Sequence, residues 1–314
     1  MSQVKARPLA MGGAFMAVED DWPTVGFNPA TFSLYRASKK GRLTFLLNPV
    51  SPFVGASDND KLFDGQGSTV DDYLLSLGLF LKAISFSTNA FDFGFLLAEQ
   101  GLNSSGNFFT DKLFDVGGFR QNHSHQFIAH LKLADKVAVG GTASVVYRSK
   151  VDDPRERESG FGISYGILLK PEKGLKIGVS FINLADSVQQ FRSPVERLVD
   201  ESVNVGISYQ PFNGTLFSLD VRNIGEEDSV AVRELHLGLE QIFFSHLAIR
   251  AGFFRQEEDS KVYSFGLGLV DENAFWGSEN KFGHGNFLFN YAFVYEQRPL
   301  IDNRWHFVSF FFRL

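Results

Sequence analysis

The chain has 314 residues, 44% of them hydrophobic and 21% charged, with a formal charge of -6. That balance leaves no basic face for nucleic acid. The absence of cysteine removes disulfide frameworks, thiolate nucleophiles and cysteine metal sites, and no apolar run approaches the roughly 18 residues a membrane-spanning helix needs.

The first residues, "MSQVKARPLAMGG", lack the sustained apolar core and cleavage site of a secretory leader. A protein destined for an outer membrane would then have had its targeting segment removed. The stretch that follows is turn-rich and apolar. Gly12-Gly13 permits a backbone path that side chains would forbid. Phe15, Trp22, Phe27 and Phe32 are too apolar for a solvated leader. Asn28 before Pro29 is an N-cap followed by proline at the first helical position, so "PATFSLYR" is expected to form a short helix.

From Arg42 onward the dominant pattern is alternation. Phe161, Ile163, Tyr165, Ile167 and Leu169 oppose Gly162, Ser164 and Gly166; Leu235, Leu237 and Leu239 oppose Glu234, His236, Gly238 and Glu240. Strict alternation over this length is a strand with one apolar and one polar face. About fourteen such segments are expected, starting near residues 42, 74, 91, 124, 136, 159, 174, 201, 214, 232, 246, 261, 285 and 303, and no segment after residue 40 makes a comparable case for a helix. Most run longer than the five or six residues of soluble strands and match the roughly 9 to 11 needed to cross a bilayer at a tilt.

Short connections after 87, 134, 171, 211 and 244 alternate with longer ones at 51–73, 100–123, 150–158, 185–200 and 225–231. Periplasmic turns and extracellular loops differ in this way in outer-membrane barrels. A soluble sandwich has no reason to keep that asymmetry, and propeller repeats are not visible. The expected fold is all-β: a transmembrane antiparallel β-barrel of about fourteen strands over residues 41–314, preceded by a distinct segment, 1–40. The 271–284 stretch, "DENAFWGSENKFGH", interrupts what would be a tight periplasmic turn, and Phe275 and Trp276 there are candidate anchors for a protein partner.

With apolar faces toward lipid, the small and polar faces line a lumen. Ionisable residues on that side include Lys176, Asp220, Arg222, Glu234, His236, Glu240 and Arg250. Glu240 and Arg250 are about equidistant from the turn at Phe244-Ser245 and are expected to pair inside. Tyr147, Tyr165, Tyr209, Tyr291, Tyr295 and Trp305 suit an interfacial aromatic girdle. The last segment, "RWHFVSFFFRL", alternates to Leu314, similar to the signal by which assembly machinery recognises outer-membrane clients, although that signal usually ends on an aromatic.

The opening stretch, "AMGGAFMAVEDDWPTVGFNPA", resembles the N-terminal motif of the long-chain fatty-acid transporter (FadL) superfamily, most closely its PorV-like branch. Met11 to Ala14, Asp20-Asp21 and Phe27 to Ala30 carry the likeness, with support from "ELHLGLEQIFFSHLAIRAGF", "YSFGLGL" and "FNYAFVY". The resemblance implies a fourteen-stranded barrel whose first segment folds inward as a hatch. It also implies two roles: passage of hydrophobic, fatty-acid-like small molecules, or a non-transporting scaffold or shuttle for secreted and surface proteins.

For the first role, Phe15, Trp22, Phe27, Asn28 and Pro29 are the candidate ligand-side residues of the hatch. For the second, the apolar loops "KLFDGQG" and "NFFTDKLFDVGGF" are candidate contact surfaces. The expected partners are the bilayer and lipopolysaccharide, a hydrophobic molecule or protein cargo, and a periplasmic or surface protein. Catalysis and cofactors are not expected: His123 and His125 lack a convincing third metal ligand, and no nucleophile elbow, phosphate loop or dinucleotide fingerprint is present.

Overall fold

The computed structural model describes residues 4–33, 41–49, 70–100, 123–149, 157–184, 201–224, 233–244, 247–257, 260–269, 286–297 and 302–314. Fourteen strands close into one antiparallel barrel, each paired with its sequence neighbours and the last with the first. They are β1 (Arg42–Leu47), β2 (Leu81–Ser87), β3 (Phe91–Gln100), β4 (His123–Ala134), β5 (Val137–Ser149), β6 (Arg157–Glu172) and β7 (Leu175–Leu184). The second half comprises β8 (Glu201–Phe212), β9 (Thr215–Arg222), β10 (Glu234–Phe243), β11 (Leu247–Glu257), β12 (Ser260–Leu269), β13 (Asn286–Gln297) and β14 (Asn303–Arg313). Closure leaves no strand edge for the bilayer to solvate, a condition for spanning hydrocarbon with strands.

The burial pattern is inside out. Ile163, Tyr165, Ile167, Leu219, Leu235, Leu237, Leu239, Ile249, Phe265 and Leu267 are exposed on the outer wall. Ser180, Ser208, Asp220, His236, Glu240, Arg250 and Asn290 are buried. The alternation therefore has its physical cause in two solvents, hydrocarbon outside and a polar, protein-filled interior. Trp305 departs from the girdle expected of it. It is buried in an interior cluster with Leu9, Phe254 and Val294, because it shares the inward face of β14 with Phe307 and Phe311.

Strands begin within two residues of the positions the alternation indicates, with one exception. The strand expected near residue 74 is instead an α-helix, α2 (Val70–Phe80), and β2 starts only at Leu81. Leu75 and Leu79 are buried while Leu77 and Phe80 are exposed, a four-residue spacing that puts one helical face on the wall. Gly78 lets the helix approach β3: a Cβ there would lie 2.6 Å from that of Ala98.

The helix expected over "PATFSLYR" contracts to a 3₁₀ turn, Pro29–Thr31. Asp20 and Phe32 form a parallel bridge, with the Asp20 N–H donating to Thr31 O at 3.2 Å and the Ser33 N–H to Asp20 O at 2.8 Å. Those groups are thereby unavailable to a continuing helix. A five-residue helix, α1 (Ala6–Ala10), lies further upstream. Phe275, Trp276 and most of the long connections, including both apolar loop stretches, lie outside the described residues.

An arginine on the hydrocarbon-facing side of a barrel costs about 2–4 kcal/mol near the bilayer midplane. Leu237→Arg should lower unfolding stability by that amount when the protein is reconstituted in liposomes and titrated with urea. An unchanged midpoint would mean that this face does not meet hydrocarbon.

Candidate functional site

The candidate site is the interior, where residues 4–32 meet the inward faces of the strands. These residues are almost entirely withdrawn from solvent: Phe15 and Phe32 are 0% exposed, and Trp22 and Phe27 3%. α1 packs on β11 to β14, while the Pro29–Thr31 turn packs on β4 to β7. The segment thus reaches opposite sides of the wall.

Its backbone leaves α1 through Gly12 and Gly13, with φ of +62° and +72°. That left-handed turn presses onto β11, where a Cβ on Gly12 would lie 2.7 Å from the Phe253 nitrogen. The wall is correspondingly smooth. Gly238 and Gly252 are register partners, as are Gly178 and Gly206. With Gly140 and Gly166 they form a belt on which the segment's main chain, or the Asn28 and Met16 side chains, rest in direct contact. The inward glycines give the first segment a bed rather than an open lumen.

Polar side chains between the glycines solvate the buried main chain. Ser264 accepts the Gly12 N–H at 2.8 Å and donates to Ala10 O at 3.1 Å. Asp220 Oδ2 accepts from the N–H groups of Phe15 and Met16 at 2.6 and 2.9 Å. Ser208 donates to Ala17 O at 2.7 Å, and Arg222 donates to Gly13 O. His236 Nδ1 meets Gly12 O at 2.6 Å while its Nε2 faces Glu234 at 3.0 Å, and its ring stacks on Phe254. Asn28 caps the turn after it by accepting from Ala30 N, and its amide donates to Met16 O and Ile167 O. In a water-poor interior each such bond avoids the cost of an unpaired peptide group.

Charges complete the attachment. Arg7 bridges Asp20 and Glu240, with both Nη–O distances at 2.6 Å, and its Nε adds a bond to Glu240 at 2.9 Å. Glu240 also accepts from Arg250 Nε at 2.5 Å, across the β10–β11 register, and Arg250 reaches Asn290 at 2.8 Å. Glu19 sits between Lys170 and Lys176. Burial pushes its carboxyl up, yet the two ammonium groups, Lys176 foremost, hold it below its usual range. Val4 N–H donates to Glu99, itself paired with Lys82 at 2.6 Å. Asp21 pairs with Arg313 of the final strand. Burial pushes Asp21 up to about 6, with Arg313 opposing and Asp20 adding to the rise.

Of the residues singled out from sequence, Lys176, Asp220, Arg222, His236 and Glu240 touch the segment directly, while Glu234 and Arg250 act on it through His236 and Glu240. Phe15 and Phe27 lie against each other, with ring centroids 5.7 Å apart, and carry Arg7 and Arg222 over their faces. Trp22 meets Phe32 edge-on and closes on Gly94. These three aromatics pack on protein in this state. An apolar depression of about 520 Å³ around Ala251, rimmed by Tyr209, Phe217, Leu239 and Phe265, opens on the outer wall instead. Arg7 and Ser264 escaped the sequence reading, and Asp20 entered it only as part of the opening motif, without its ion pair to Arg7. A lone arginine in the apolar "KARPLAMGG" was the available clue to the first.

No family model matches the chain, and no curated protein matches it in sequence. Solved structures do share its fold over the whole chain. One is described as the CymD monoaromatic hydrocarbon channel (10% identity, 99% of this chain and 97% of that one, TM-score 0.54). Another is the Ralstonia pickettii toluene transporter TbuX (13% identity, the same coverage, TM-score 0.53).

Breaking a buried ion pair by removing one partner costs about 3–5 kcal/mol. Arg7→Ala should destabilise the protein by that order in denaturant titrations and make residues 4–33 accessible to protease. The pH dependence has a definite sign. A carboxyl raised from 3.8 to about 6 on folding binds a proton the unfolded chain has lost, so its contribution is complete below pH ~4 and disappears as pH rises through ~6. Asp21→Asn should flatten that part of the stability profile. Glu19, lowered on folding, contributes in the opposite sense, above its unfolded pKa.

Proposed function

We propose that this chain is an outer-membrane barrel that binds and passes hydrophobic small molecules, with residues 1–40 as a hatch inside a barrel of residues 41–314. The observation that carries the reading is a whole-chain likeness to two barrels named for hydrocarbon passage, joined to an apolar outer belt. The finer assignment, fatty-acid or lipid-like ligands, comes from the sequence motif around Met11–Ala30. In this reading Phe15, Trp22 and Phe27 form the apolar surface uncovered when the hatch shifts, and Asn28-Pro29 fixes the turn about which it is built.

A second reading has a specific observation in its favour. The first segment is bonded to the wall along most of its length, from Val4 to Glu99 through Ser208 to Ala17, more densely than free passage requires. A non-transporting scaffold or shuttle for a secreted or surface protein needs a sealed interior of that kind.

Two measurements separate them. Protein purified from native membranes should release a hydrophobic ligand detectable by mass spectrometry, and proteoliposomes should take up toluene or a long-chain fatty acid faster than empty liposomes. Ligand-free spectra together with uptake equal to empty liposomes would overturn the transport reading. Recovery of a stoichiometric secreted protein alongside that result would establish the second.

A further inference from the structure

The barrel is unevenly sewn. β13 and β14 share eleven register partners, and β5 and β6 thirteen. Among the described residues, β1 and β14 share only Leu46↔Arg313 and Leu47↔Phe312, extended by reciprocal backbone bonds between Phe45 and Leu314 at 3.0 and 2.9 Å. In hydrocarbon this short seam is, among the described residues, the place where closure has the least main-chain support.

The first segment crosses that seam from inside. Trp22, Val25 and Phe32 belong to one continuous apolar cluster that includes Leu46 of β1 and Phe311 of β14. Both wall residues point inward, at 2% and 0% exposure, so the cluster, which continues through Ala83, Leu96 and Ile128 of β2 to β4, spans both strands of the seam. Two residues further along β14, on the same face, Arg313 is the register partner of Leu46 and carries the ion pair to Asp21. Apolar contacts therefore reach both sides of the shortest junction in the described wall, and the ion pair reaches its β14 side.

We propose that the N-terminal segment is the clasp of the barrel: by packing Trp22, Val25 and Phe32 across Leu46 and Phe311, and by holding Arg313 through Asp21, it keeps β1 joined to β14. Loosening these contacts then weakens the wall on the side of the seam rather than around the whole ring. The inference concerns closure of the wall and stands whatever the barrel carries.

The test is hydrogen exchange, read by peptide, on the full chain in detergent. Trp22→Ala/Phe32→Ala should speed exchange in β1 and β14 by at least about tenfold, since core truncations of this size act on local opening. The β6–β7 and β10–β11 hairpins should retain wild-type protection. The chain has no cysteine, so Leu47→Cys/Phe312→Cys can lock the seam by oxidation. In the locked protein the two truncations should still loosen residues 4–33 but no longer accelerate β1 and β14.

Wild-type protection of the seam while residues 4–33 exchange faster would overturn the clasp, as would acceleration spread evenly over all strands. Should the double variant fail to give a heat-modifiable barrel, Val25→Ala is the milder probe. It carries the same expectation of seam-selective acceleration, and a uniform or absent effect counts equally against the proposal.

Discussion

In hydrocarbon an unpaired peptide group has no solvent to turn to, and every other feature of this structure follows from that constraint. It requires the strands to close, which gives fourteen consecutive antiparallel neighbours and a final pairing of β14 with β1. It also sets the faces. Side chains that touch lipid gain nothing by being polar, so Leu, Ile and Phe occupy the outer wall, and Ser, Asn, Asp and Glu are pushed inward. A closed ring of inward polar groups creates a second demand, because those groups need partners of their own.

The N-terminal segment answers that demand. Its main chain is irregular, with turns at Gly12, Gly13 and Asn28, and an irregular backbone buried without water is costly unless side chains complete its hydrogen bonds. Ser208, Asp220, Arg222, His236 and Ser264 do so from the wall. Satisfaction is reciprocal: wall residues that would be orphaned in an empty barrel are bonded by the segment, and the segment is bonded by them. Such networks stabilise only when nearly complete. The Arg7–Glu240–Arg250–Asn290 chain shows the same logic with charges, where Glu240 accepts from two guanidinium groups.

This mutual dependence bears on any transport cycle. Small hydrophobic molecules cannot replace the bonds that Asp220 or Ser264 makes to the segment, so displacement of the whole segment is expensive. Movement confined to part of it, around the Phe15–Phe27 or Trp22–Phe32 contacts, breaks far fewer of them. The seam adds a mechanical consequence. Trp22 and Phe32 share one apolar cluster with both wall strands, so under the clasp proposal interior motion there would reach the wall itself.

Much of this was legible in the residues because alternation has a local cause: each strand reports which side faces lipid without reference to its neighbours. The inward identities of Asp220, His236 and Glu240, and the Glu240–Arg250 register, follow from counting along two strands and a turn. Where two periodicities overlap, local reading fails. "VDDYLLSLGLF" reads as a strand by alternation, but Leu75 and Leu79 pack as one helical face and Gly78 lies close against Ala98, so the segment is α2. The turn at Pro29 stopped short for the same kind of reason, since Asp20, remote in sequence, claimed the backbone at Thr31 and Ser33. By itself, then, the sequence determined the class of fold, the count of strands and the polarity of their faces, all set by short-range chemistry. Which wall residue meets which part of the N-terminal segment, and that Asp21 reaches Arg313, were decided only when closure brought positions almost the whole chain apart into contact.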